Sequence, residues 1–217
     1  MIKFENVTAT YSKKIGIFNL SFHIPKGELV FLMGPTGAGK STVLRTIYKD
    51  IPIKEGALYI EGENITKIKK RNIPYFRRKI GMVFQDYRLI PDRTIFENVA
   101  LPLQLLGTPS KEIKTRVLEI INKVGLNNRE KAYPEQLSGG EKQRVSIARA
   151  LVKKPIVILA DEPTGNLDPN VSDEILDLLE IATDSGAAVL MSTHNFPLIR
   201  PRQKKYIELK EGRLVVQ

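Results

Sequence analysis

The stretch that most constrains this chain is Gly34-Pro35-Thr36-Gly37-Ala38-Gly39-Lys40-Ser41-Thr42, which fits the phosphate-binding loop pattern G-x-x-x-x-G-K-[ST]. The apolar run Leu29-Val30-Phe31-Leu32-Met33 leads in, and the helix-like run Thr42 to Ile47 leads out. The loop therefore sits between a buried strand and the start of a helix. Glycines let successive N–H groups turn inward around an anion. The helix N-terminus adds partial positive charge and Lys40 a full one, while Ser41 can offer its hydroxyl to a magnesium ion. A Gly-rich turn before a helix is the bland alternative. A chance match to the full pattern in a chain this long is on the order of one in a hundred.

At 217 residues the chain can bury a sizeable core. It has no cysteine, which excludes disulfides and thiolate metal sites, and its two histidines, His23 and His194, exclude a histidine-rich metal site. No apolar run approaches the ~20 residues that span a bilayer. The opening Met1-Ile2-Lys3-Phe4-Glu5-Asn6 reads as a strand rather than an export signal, so a cytoplasmic location is expected. The formal charge of +10 favours acidic partners. Its densest source is Lys67 to Lys79, which holds no acidic residue. That stretch reads first as a solvated turn and short helix, next as a segment near membrane headgroups, and last as a nucleic-acid site.

Ile2–Tyr11, Phe18–Ile24 and Gly56–Gly62 read as strands, the first two antiparallel; Ile80–Phe84 returns to the sheet. From Asp86 to Val152 the apolar spacing turns helical. Helices are expected over Thr94–Leu106 with Pro102 a kink or break, over Ser110–Val124 with Ser110 as N-cap and Gly125 as stop, and over Ser138–Leu151. Ile156-Val157-Ile158-Leu159-Ala160 and Ala187–Ser192 read as buried parallel strands, with a helix from Asp168-Pro169 to about Thr183 between them. Tyr206–Leu209 and Arg213–Val216 form a terminal hairpin. The fold class expected is α/β: a P-loop NTPase core with a mostly parallel sheet, an N-terminal antiparallel β portion and an inserted helical subdomain. As a single domain, its core lobe comprises 1–85 and 153–217, and its helical subdomain about 86–152.

Asp161-Glu162 ends a buried strand, where such sheets place their ligand crevice. Asp161 is placed to hold magnesium, and Glu162 to orient or deprotonate a water for attack on a γ-phosphate. Leu137-Ser138-Gly139-Gly140-Glu141 offers a second anion-binding helix start, although an ordinary N-cap explains it equally well in isolation.

Taken together, the phosphate loop, Gln85, Leu137-Ser138-Gly139-Gly140-Glu141-Lys142-Gln143-Arg144, Asp161-Glu162, Asn166-Leu167-Asp168 and His194 resemble the ATP-binding-cassette ATPases over essentially the whole chain. The resemblance implies an ATPase that needs ATP and Mg2+ and works as a head-to-tail homodimer. Tyr11 corresponds to the aromatic that stacks on adenine. Gly34, Pro35, Thr36, Gly37, Ala38, Gly39, Lys40, Ser41 and Thr42 bind the phosphates. Ser138, Gly139 and Gly140 reach the γ-phosphate of the other copy, and Asp168 lies at the dimer seam. Ser41, Gln85 and Asp161 correspond to the magnesium site; Glu162, His194 and Gln85 to the catalytic groups.

Thr164-Gly165-Asn166-Leu167-Asp168 is similar to the branch of lipoprotein-release, macrolide-efflux and cell-division ATPases. Asn72–Asp86 followed by Asp92–Ala100 looks most like the cell-division members. Those imply an FtsX-like integral membrane partner, no membrane span of this chain's own, no specific nucleic acid, and a peripheral position on the inner face of the plasma membrane. A lipoprotein or macrolide-type transporter subunit remains open at this point, as does a soluble nucleic-acid or ribosome-associated factor. The apolar residues Leu89, Ile90, Ile95, Phe96 and Val99 mark the face expected to pass closure to the partner. Asn195 stands where the family commonly has Asp after the histidine, and Glu141-Lys142 replaces the commoner Gln-rich continuation.

Overall fold

The computed structural model describes residues 1–12 and 15–216. Strand β1 (Ile2–Thr10) pairs antiparallel with β2 (Gly16–Ile24), burying Ile2, Phe4, Val7 and Ala9 on one face. Phe4 and Phe22 lie opposite in the register and stack at 4.3 Å between ring centroids. Next come β3 (Leu29–Met33) and α1 (Lys40–Ile47), joined by the phosphate loop. Strand β4 (Glu55–Ile60) adds to the other side of β1, and Glu63–Asn64 forms a short strand β5 beside it.

A basic segment follows: one 3-10 turn, then α2 (Ile73–Arg78), then β6 (Ile80–Val83). Three helices succeed it: α3 (Ile95–Leu105), α4 (Ser110–Lys123) and α5 (Gly139–Leu151). The chain then alternates β7 (Val157–Asp161), α6 (Pro169–Asp184), β8 (Ala188–Ser192) and the short α7 (Phe196–Ile199). It closes on the hairpin β9 (Tyr206–Lys210) and β10 (Arg213–Val216).

Two sheets result: β2-β1-β4-β5, antiparallel, and β10-β9-β3-β8-β7-β6, parallel except for β10. Period-two alternation explains how the second sheet is covered on both faces. Leu29, Phe31 and Met33 of β3, Ile158 and Ala160 of β7, and Val189 and Met191 of β8 enter one core with α3 to α6. Val30, Leu32, Val157, Leu159, Ala188 and Leu190 enter the other, with α1 and the antiparallel sheet. Continuous apolar strands are what such a sheet needs, and burying each large side chain contributes about 2 kcal/mol.

The sequence places most boundaries within a residue or two. Pro102 neither breaks nor ends α3, which runs on to Leu105. A proline there removes the bond to the carbonyl four residues back and crowds that carbonyl, a local cost the helix absorbs, and the capping box of Thr94 and Glu97 holds the start. Ser110 is the first residue of α4 rather than its cap; Pro109 takes that place and no side chain caps the helix. Gly125 does stop α4, with φ +74° and Leu126 N–H donating to Ile121 O at 3.0 Å. Ile95 and Val99, expected on a partner-facing surface, are fully buried in the first core, with Leu89 and Phe96 packed against it; the apolar side chains exposed at the end of α3 are Leu105 and Leu106.

Candidate nucleotide site

The loop after β3 is built around two backbone constraints. A Cβ on Gly34 would stand 2.3 Å from Leu209 O of β9, so only glycine fits. Gly39, the N-cap of α1, has φ +102°, a left-handed conformation glycine adopts without cost. The turn delivers Lys40, 5% exposed, with its ammonium donating to Gly34 O at 2.7 Å and Pro35 O at 3.2 Å. The same ammonium lies 3.3 Å from Glu162 Oε1. A buried cation thus meets carbonyls on one side and one carboxylate on the other.

Across the crevice, β7 delivers Asp161 and Glu162. Asp161 Oδ1 accepts from Ser41 Oγ at 3.0 Å and from Ser192 Oγ, at the end of β8, at 2.7 Å. Glu162 N–H donates to Ser192 Oγ at 3.0 Å, and the residue sits at φ +45°, uncommon for a residue with a side chain. Its carboxylate is 21% exposed and spans two partners: Lys40 on Oε1 and His194 Nδ1 at 2.9 Å on Oε2. An ionised carboxylate only accepts, so Nδ1 is the donor and the ring's Nε2 is left for another group.

Gln85 follows β6, and its amide donates to Asn166 Oδ1 at 3.3 Å, bringing it to the segment after β7 rather than onto Ser41 or Asp161. Tyr11 is 54% exposed, and its hydroxyl accepts from Arg45 NH1 of α1 at 3.1 Å, which places it beside the helix that follows the loop. Ser138 caps α5 in a capping box: Glu141 N–H donates to Ser138 Oγ at 3.2 Å, and Glu141 Oε2 accepts from Ser138 N–H at 2.9 Å. Asp168 caps α6, accepting from Val171 N–H at 3.1 Å. Among the described residues, Ser138, Gly139, Gly140 and Asp168 make no hydrogen bond or ion pair to the phosphate loop of their own chain.

Sequence reasoning missed Arg149 and Ser192. Tyr87 (φ +59°) and Arg88 (φ +47°) are consecutive left-handed residues just after Gln85, at about 1 kcal/mol or more each. Arg149 of α5 clasps this turn, NH2 donating to Tyr87 O at 2.7 Å and NH1 to Arg88 O at 2.6 Å. Burial lowers its pKa, and no carboxylate pairs with it among the described residues. A separate cavity of about 430 Å3, bordered by Arg116, Ile120 and Ile181, lies between α4, α6 and the start of β7 and touches none of these groups.

The hard oxygens of Ser41 and Asp161, side by side at the loop, suit a divalent cation of the magnesium type. A glycine-bounded loop folded over a buried lysine, with a carboxylate aimed at the same ammonium, is the arrangement of P-loop ATPases. The ABC transporter family model matches residues 17–165, and the chain belongs to that family as an ATP-binding ABC-type ATPase. It is closely related to proteins called cell division ATP-binding protein FtsE. That of Escherichia coli strain K12 is 46% identical over 215 residues, covering 99% of this chain and 97% of the relative. That of Streptococcus pneumoniae serotype 2 strain D39 is 42% identical over 216 residues, covering 99% and 94%. Among solved structures, the dimeric post-hydrolysis state of the ATP-binding cassette MJ0796, bound to ADP and Pi, superposes with a TM-score of 0.88 at 37% identity, covering 100% of this chain and 97% of that one. Among the described residues no helix is long and apolar enough to cross a membrane.

Proposed function

We propose that this chain is the ATP-hydrolysing subunit of an FtsEX-like cell-division complex. In it, ATP-driven pairing of two copies is passed to an FtsX-like membrane protein that controls cell-wall hydrolysis, with the chain held on the cytoplasmic side by that partner. The observation that carries the enzymatic part is the placement of Glu162 between Lys40 and His194. Phosphate bound in the loop competes with Glu162 for Lys40, which frees one carboxylate oxygen to take a proton from water. His194, donating through Nδ1, keeps the other oxygen fixed. Ser41 and Asp161 would hold a magnesium ion, and the chemistry it would supply is neutralisation of charge developing on the phosphates. Gln85 reports an occupied site to α3 through α5, Tyr11 packs on the adenine, and Ser138, Gly139 and Gly140 close over the nucleotide of the opposite copy with Asp168 at the seam.

The test is Glu162→Gln. It keeps the shape and removes the base, so ATP affinity is retained while turnover drops by about a hundredfold or more. Rapid steady-state hydrolysis by that variant would refute the role given to Glu162. Co-purification with an FtsX-like protein, rather than with a many-span permease, tests the cell-division assignment.

A further inference from the structure

The ATPase reading leaves the basic segment before β6 unused. Its architecture is a platform with a fixed underside. Phe76 and Ile80 are buried in the second core. Arg77 turns inward: its Nε donates to Tyr48 O at 3.0 Å, NH2 to Lys49 O at 3.2 Å, and its guanidinium pairs with Asp50. From the other side Lys153 Nζ donates to Arg77 O at 3.2 Å and Ile80 O at 2.6 Å.

The outer surface is different. Lys69, Lys70, Arg71, Arg78 and Lys79 are exposed, and among the described residues none has an acidic partner. Arg71, Tyr75 and Arg78 repeat at helical spacing on the outward side, with Pro74 beside them. Tyr75 is 62% exposed, and the Arg78 guanidinium sits 4.8 Å from its ring centroid. Lys67 borders a neighbouring hollow with Glu63.

From this we infer that the Lys69–Lys79 platform docks the chain directly on an anionic lipid surface. Unpaired cations on one rigid outward face attract acidic headgroups, each contributing about 1 kcal/mol near the surface. A tyrosine with an apolar ring and a polar tip suits the headgroup layer. A single-stranded nucleic acid is the poorer match. It asks for several open aromatic faces along a groove, and here the one exposed aromatic of the segment, Tyr75, already has a guanidinium over its ring.

Purified chain is sedimented with vesicles of equal parts phosphatidylglycerol and phosphatidylcholine, and with phosphatidylcholine alone, across a salt series. Binding is expected on the acidic vesicles only, and it falls as salt rises. Lys70→Gln, Arg71→Gln and Arg78→Gln together lower the partition coefficient by about a hundredfold, while ATP affinity stays unchanged. A control of equal charge, Lys111→Gln, Lys114→Gln and Lys131→Gln, loses far less. The proposal fails if the two triple variants lose binding equally, if neutral vesicles bind as well, or if single-stranded RNA at physiological salt binds more tightly than the vesicles and loses that binding in the first variant. None of these measurements depends on hydrolysis, so failure here leaves the ATPase reading standing.

Discussion

At the scale of single residues, the site combines groups that announce themselves with groups that do not. Lys40, Ser41, Asp161 and Glu162 were legible because a phosphate loop and a strand-end acid pair fix side-chain chemistry and backbone course together. Arg149 was not. Its partners are the carbonyls of Tyr87 and Arg88, which carry no signal of their own in a sequence, and an arginine late in a helix reads as a surface cation. The clasp holds two left-handed residues that follow Gln85 after one intervening residue, Asp86, so it bears on where that glutamine enters the site. Arg149→Met removes both charged hydrogen bonds and is expected to cost about 2–3 kcal/mol in chemical unfolding. A purely structural role predicts that loss alone. A positioning role also lowers kcat for ATP with KM held within a few-fold, and Arg149→Lys, able to donate to one of the carbonyls, recovers part of it. Unchanged kcat in folded Arg149→Met would leave the clasp a stabilising device only.

Among the elements, the parallel strands and long helices could be read because burial on both faces or on one stripe leaves a period in the residues. The short pieces could not. Glu63–Asn64 is a strand only because β4 lies beside it, and α7 is about one turn capped by Asn195, whose Oδ1 accepts from Leu198 N–H at 3.2 Å. That cap also gives Asn195 a local role an aspartate would fill equally, so its departure from the family pattern leaves the helix start intact. The junction of α2, β6 and α5 is held by Lys153, whose pKa burial lowers from 10.5 to about 8. Between about pH 8 and 10.5 the unfolded chain therefore binds more protons at this position than the folded one, and stability gained from this residue rises with pH. Thermal unfolding of the parent chain and of Lys153→Met, compared from pH 7 to 10, should show the parent gaining on the variant by on the order of 1 kcal/mol, allowing for partial exposure. A pH-independent difference between the two would mean the ammonium is not held in the buried form.

For the whole molecule, the question is why one chain carries two glycine-rich helix starts of the kind suited to an anion. The phosphate loop opens α1, and Ser138-Gly139-Gly140 opens α5, yet among the described residues no hydrogen bond or ion pair joins the two. A single nucleotide uses one cradle, so a head-to-tail pair, in which each loop is covered by the other copy's α5, gives both a purpose. The relative of known structure described above is a dimer by its own description. Mixing separates this arrangement from one in which both cradles serve the same chain. One variant carries Lys40→Ala and the other Ser138→Arg, both with Glu162→Gln so that closed sites persist. Alone, each variant has a defect in every site of its dimer and is expected to release ATP on rapid dilution. In an equal mixture, half of the dimers are mixed, and each mixed dimer holds one site with an intact loop from one copy and an intact Ser138 from the other. Retained ATP is then expected to recover to about a quarter of that held by the Glu162→Gln dimer. No recovery in the mixture, with both variants folded and the Ser138→Arg chain still binding ATP weakly by itself, would place the two cradles in one chain and dissolve the proposed pair.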